Sequence, residues 1–161
     1  MIKGGFGGAN TKTGAIFEIE TNLKKALEEN GYNLTRFVFL EQHAFEKYLN
    51  DNFGFSMKKC FGKAFRPDEA VIYNNRLIVI EKKMQSGGGS VDEKIQTGPY
   101  KLSIYQKCAE IMGLEGADFI FLLKGEFFDI PKYTTHQLPW NLKNGVPTYF
   151  DKLPLEKCFK K

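Results

Sequence analysis

RPDEAVIYNNRLIVIEKKMQ, residues 66–85, carries two apolar runs that meet at Asn74-Asn75, a pair that tolerates the positive φ angles of a tight hairpin turn. With those two residues as the turn, Tyr73 faces Arg76, and counting outward places Asp68 opposite Glu81. Opposed residues on an antiparallel pair have Cβ atoms about 4.5–5.5 Å apart. Strand alternation turns Lys83 to the same face as Glu81 and Lys82 to the other. One face of the predicted hairpin therefore gathers Asp68, Glu81 and Lys83.

Two carboxylates that close repel each other, and the remedy is a raised pKa or a divalent cation held between them. A hard ion such as Mg²⁺ bound by one or two carboxylates keeps several waters and can take a phosphate oxygen as a further ligand. A neighbouring lysine can orient or help deprotonate an attacking water, so these residue types suit phosphodiester hydrolysis. Other metal chemistries lack ligands. Cys60, Cys108 and Cys158 are widely separated, only His43 and His136 exist, and neither set has zinc-site spacing. Any metal is expected to be held by oxygen, and the thiols to be reduced, buried and inert.

Outward from the hairpin, Ile16, Ile19, Leu23, Ala26 and Leu27 recur at helical steps and predict one amphipathic helix from Ala15 to about Asn30, with Thr13 as cap and Gly31 as stop. Residues 36–40 read as a short strand, and Ala44, Phe45, Tyr48, Leu49 and Phe53 as a second helix. After a glycine-rich connection, Ser90 to Glu93 form a capping box. A helical stripe then runs to Gly113, interrupted at Gly98-Pro99. Residues 117–123 read as a buried strand. Asn144-Gly145 and residues 146–150 read as a turn and an edge strand. The order predicts an α/β fold, a mixed central β-sheet with helices on both faces, in a single domain over residues 1–161.

The chain has 161 residues, 42% hydrophobic and 26% charged, with a net charge of +4, the content of an ordinary globular protein and not of a disordered or disulfide-scaffold one. No apolar stretch approaches the roughly 20 residues of a membrane span, and the protein is expected to be cytoplasmic with no membrane partner. The segment 57–66 concentrates Lys58, Lys59, Lys63 and Arg66 without an acid and leads straight into Asp68. Such a run can track DNA phosphates, while its interleaved Phe61 and Phe65 read as core anchors. The N-terminal GGFGGAN lacks the spacing of a phosphate-binding loop, so no nucleotide cofactor is expected.

Pro67-Asp68 followed by an apolar strand ending in Glu81-Lys82-Lys83 resembles the signature of the PD-(D/E)XK nucleases. Residues 7–18 (GGANTKTGAIFE) and 81–94 (EKKMQSGGGSVDEK) resemble the surroundings of that signature in type II restriction endonucleases, and the resemblance runs as an ordered series over roughly residues 4–124. It implies a restriction endonuclease-like α/β/α core and Mg²⁺-dependent, sequence-specific cleavage of double-stranded DNA, with Asp68 and Glu81 as metal ligands and Lys83 as the catalytic lysine. It further implies an acid on the first helix, Glu18 with Glu20 as its rival, and Gln85 extending the site toward DNA. Structure-specific nucleases of the resolvase or repair type share such a face, and a non-catalytic nucleic-acid-binding module is the reading from another class. Cutting both strands of a duplex suggests a homodimer.

Overall fold

The computed structural model describes residues 15–84 and 90–160. Thr13, Gln85 and the N-terminal glycine-rich segment, each given a part above, lie outside the described residues.

The hairpin organises the sheet. Asn74 and Asn75 both adopt positive φ, 46° and 61°, as the primed two-residue turns require, and join β2 (Glu69–Tyr73) to β3 (Arg76–Lys83). The register pairs Tyr73 with Arg76 and Glu69 with Ile80. A two-residue strand β1 (Val38–Phe39) adds antiparallel to β2. On the other side β4 (Gly116–Leu123) and then β5 (Thr148–Phe150) add in parallel, completing a five-stranded mixed sheet in the order β1-β2-β3-β4-β5. The long connection from β3 to β4 is what parallel neighbours require, and it carries α5 (Ser90–Gln96) and α6 (Gly98–Ile111).

Alternation divides the side chains between two cores. Ala70, Leu77, Val79, Phe119, Phe121 and Leu123 point to one face. They pack there against α3 (His43–Phe53), α4 (Met57–Phe61), α6 and three short helices, α7 (Gly125–Phe128), α8 (Pro131–Thr134) and α9 (Gln137–Lys143). Val71, Tyr73, Ile78, Ile80, Ile120 and Leu122 point to the other. That face is covered by α1 (residues 15–20), α2 (Leu23–Glu29) and α10 (Leu155–Cys158). The protein is thus a mixed α/β structure with helices on both faces of its sheet, and among the described residues no helix is long and apolar enough to cross a membrane.

Two expectations are corrected and one is met. The helix expected over 15–30 is two helices, because the Asn22 side chain accepts from Lys25 N at 2.9 Å and caps a new start. The reset leaves Ile16 and Ile19 exposed and buries Phe17 in their place. The stripe after Ser90 is interrupted at Gly98-Pro99 as expected, into α5 and α6, and Gly98 explains the break. A Cβ there would lie 2.8 Å from Phe121 Cε2 and 3.2 Å from Val146 Cγ1, so only glycine lets the start of α6 approach β4 this closely, and Pro99 suits a helix first turn. Of the thiols, Cys108 is buried, with burial pushing its pKa up to about 12, but Cys60 is exposed on α4.

Candidate active site

Asp68 stands one residue before β2, beside the end of β3. The ladder stops there for a chemical reason. Pro67, across from Lys82 in the same register, has no N–H, and its carbonyl accepts from Gln42 N at 2.8 Å. The Lys82 N–H is taken instead by Asp68 Oδ2, at 2.8 Å. A side chain thus closes the hairpin where the backbone cannot, and the Asp68 carboxylate is locked over the strand end. Its Oδ1 accepts from Gln42 Nε2 at 3.3 Å.

From that strand end Glu81 and Lys83 project to the same face as Asp68. Lys83 Nζ donates to Glu81 Oε1 at 2.9 Å and to the Lys82 carbonyl at 3.1 Å, and lies 4.0 Å from Asp68 Oδ2. The three side chains are 12–23% exposed, which weakens solvent screening without sealing them. A fourth group, Lys101 from the first turn of α6, donates to Glu81 Oε1 at 2.7 Å. Burial pushes the Glu81 carboxyl up, but the Lys83 and Lys101 ammoniums outweigh it and hold the group below the usual carboxylate value. One helical turn further, Tyr105 is buried close to the same carboxylates. Burial first, then the Glu81 and Asp68 charges, push its phenol far up and keep it protonated.

Sequence reasoning missed Lys101 and Gln42. Lys101 had a signal, since with Tyr105, Cys108 and Ala109 it continues the buried stripe of α6, and a lysine on a core-facing stripe needs a carboxylate partner. Gln42 had none. It takes a positive φ of 54° in a polar connection that reads only as a loop.

Oxygens of Asp68, Glu81 and the Lys82 carbonyl converge on one positive centre, the Lys83 ammonium. Among the described residues no group of three His, Cys, Asp or Glu side chains gathers. The protein's donors here are therefore two carboxylates and a carbonyl, a set that fits a hard ion retaining its own waters and not zinc.

Glu18 is not brought into this cluster. It is exposed on α1, whose Phe17 is buried in the core on the opposite face of the sheet, and it makes no hydrogen bond or ion pair with Asp68, Glu81 or Lys83. Glu20 lies on that other side too, lining a 270 Å³ cavity with Ile80 and Lys82. Lys82 itself pairs with Glu69 at 2.8 Å, both side chains under a tenth exposed, and Glu69 Oε1 also accepts from Leu23 N at 3.1 Å.

Lys58, Lys59 and Lys63 are exposed on and after α4. Lys63 Nζ sits 4.7 Å from the Phe65 ring centre, and Phe65 meets the Tyr100 ring edge-on, next to Lys101. The basic segment therefore reaches the start of α6 through Phe65 and Tyr100. Arg66 is engaged by Glu46 at 3.4 Å. Phe61 and Phe65 pack on the core, as their spacing suggested. Comparison of the chain with protein-family models, with curated proteins and with solved structures finds no match.

Proposed function

We propose that the protein is a Mg²⁺-dependent endonuclease of the PD-(D/E)XK type that hydrolyses double-stranded DNA at a specific sequence, in the manner of type II restriction enzymes. The observation that carries the reading is the convergence of Asp68, Glu81 and Lys83 at one strand end, with the Lys83 ammonium 2.9 Å from one carboxylate and 4.0 Å from the other. An antiparallel hairpin continued by two parallel strands between helical layers supports the restriction endonuclease-like α/β/α core.

In this reading Asp68 and Glu81 hold the cation, which when bound supplies Lewis-acid stabilisation of charge on the phosphate. The Lys82 N–H fixes the Asp68 carboxylate, so its orientation is set before substrate arrives. Lys83 Nζ donates a hydrogen bond to the attacking water and holds its oxygen toward phosphorus. As the oxygen–phosphorus bond forms, the ester bond on the opposite side breaks, and the proton lost by water is balanced by one gained at the leaving oxygen. Lys58, Lys59 and Lys63 neutralise backbone phosphates beside the site. One cluster per chain cuts one strand, so duplex cleavage calls for a homodimer whose two-fold axis suits a palindromic sequence.

The test is incubation with plasmid and phage DNA in Mg²⁺, with sequencing of the new ends. Ends at one recurrent sequence are expected. Ends at branches or flaps would assign a structure-specific nuclease instead, and DNA that is bound but intact with or without Mg²⁺ would leave a non-catalytic binding module.

A further inference from the structure

Two ammoniums share one carboxylate oxygen, yet their surroundings differ. Lys83 Nζ touches Glu81 Oε1 and the Lys82 carbonyl and faces Asp68 Oδ2, so it stands against oxygens of three residues. Lys101 touches Glu81 Oε1 alone. It also arrives from a separate element, α6, whose first turn is pressed onto β4 through Gly98, and its side chain is 14% exposed. Glu81 Oε2 has no partner among the described residues.

We infer that the two lysines have divided duties: Lys101 is the positioning residue of the site, holding Glu81 by Oε1 so that Oε2 is presented to a divalent cation, whereas Lys83 is the group such a cation displaces. The inference rests on the proposed metal-dependent site. A divalent cation held by the Asp68 and Lys82 oxygens would take the place where the Lys83 ammonium now stands and would repel it there, so its entry would move Lys83 off those two oxygens. Nothing requires Lys101 to move, because it touches neither the Asp68 nor the Lys82 oxygen and leaves Glu81 Oε2 open. The displaced Lys83 is then freed toward substrate while Lys101 keeps the carboxylate in place.

The test uses the full chain with Mn²⁺ as probe, in the absence of DNA, followed by electron paramagnetic resonance. Lys83→Met should tighten Mn²⁺ binding by about tenfold or more, since no ammonium has to leave. Lys101→Met should change the affinity by less than about threefold but broaden the bound Mn²⁺ spectrum, because loss of charge and loss of orientation oppose each other in affinity while disorder in the ligand remains. On DNA, Lys101→Met should lower kcat about 10- to 100-fold with KM changed less than about threefold, the signature of misplacement. Lys101→Gln serves where the methionine variant does not fold, and should show the same pattern.

Tightening of Mn²⁺ binding by Lys101→Met to the extent seen for Lys83→Met would overturn the inference, since both lysines would then merely compete with the cation. So would an unbroadened spectrum, or a parent chain that binds no Mn²⁺. A parent that binds Mn²⁺ with the expected ranking of variants and cuts no DNA would overturn the nuclease reading and uphold the division of the lysines.

Discussion

Asp68 accepts a hydrogen bond from the Lys82 backbone N–H at 2.8 Å, so the carboxylate nearest the strand end is at once a structural closure and a candidate ligand. The two duties can be separated. Asp68→Asn keeps a carbonyl oxygen for the Lys82 N–H and removes the negative charge, so stability should stay within about 1 kcal/mol of the parent while cleavage falls at least about 100-fold. Asp68→Ala should lose cleavage equally and also cost roughly 1–3 kcal/mol, because the Lys82 N–H is left without its acceptor. Urea unfolding beside a plasmid-nicking assay at matched Mg²⁺ reads both. Near-parental cutting by Asp68→Asn or by Glu81→Gln would remove the cluster from the reaction.

Adjacent lysines should fail in different assays. Lys82 and Glu69 form an ion pair with side chains 5% and 8% exposed, and removing one partner of such a pair leaves a buried charge uncompensated, a loss of about 3–5 kcal/mol. Lys82→Met should therefore lower the unfolding free energy by that order while turnover per folded molecule stays within about tenfold. Pairing it with Glu69→Gln, which keeps an acceptor for Leu23 N, should recover much of the loss. Lys83→Met should instead change stability by less than about 2 kcal/mol and lower turnover by orders of magnitude. The reverse pattern would mean that the functional face is the one toward α2.

How far the site was legible follows from these same residues. Asn74-Asn75 admits a two-residue turn, and once the turn is set every pairing and every facing in the hairpin follows by alternation. That arithmetic placed Asp68, Glu81 and Lys83 together, and it also makes Glu69 a diagonal neighbour of Lys82 on the other face. The same logic fails where geometry is not periodic. Asn22 sits inside an apolar spacing that runs straight through it, and only its side-chain bond to Lys25 N reveals two helices. Lys101 lies on the buried stripe of α6, yet only the sheet supplies its partner, Glu81, 20 residues away in the chain. Gln42 meets Asp68 across 26 residues through a loop with no pattern.

The basic segment should act on DNA without regard to sequence. Lys58, Lys59 and Lys63 are exposed and free of acidic partners among the described residues, whereas Arg66 is drawn to Glu46. Replacing the three lysines with alanine should weaken binding to cognate and unrelated duplexes by similar factors and reduce the log–log salt slope by about three, nearly one per lost phosphate contact. Filter binding over a salt series in Ca²⁺, which supports binding with looser coordination than Mg²⁺, gives the slope. A loss confined to the cognate sequence would make these residues base readers.

Acid should weaken the fold partly through Glu81. Its folded carboxyl lies below the unfolded value, so the unfolded chain binds more protons as pH falls. The stability it contributes is present above the ordinary glutamate pKa of about 4.3 and lost as pH drops through the lower folded value. Glu81→Gln should therefore flatten the acid limb of unfolding free energy below about pH 4.3 without steepening it above. Asp92, held low by hydrogen bonds from Lys132 and Tyr133, is a further contributor that this variant leaves untouched. An acid limb identical to the parent's would mean that Lys83 and Lys101 do not hold the charged form.

Gly98→Ala should couple core packing to the site. Alanine is the better helix former by up to about 1 kcal/mol, and at an open position that gain would stabilise α6. Here the added methyl lies 2.8 Å from Phe121 Cε2 and 3.2 Å from Val146 Cγ1. The Phe121 ring is fully buried and set edge-on against Phe119 with centroids 5.2 Å apart, so it has little room to turn. Overpacking of a filled core costs about 1–3 kcal/mol, which exceeds the helix gain and leaves a net loss of roughly 1–2 kcal/mol, readable by urea unfolding. Relief by lifting the start of α6 would carry Lys101, three residues on, away from Glu81. Turnover of the folded variant should then fall by about tenfold with DNA affinity unchanged, as small misplacements of a positioning group do. A variant as stable and as active as the parent would show that α6 and β4 can separate at Gly98 without disturbing the carboxylate, and that the close approach does not position the site.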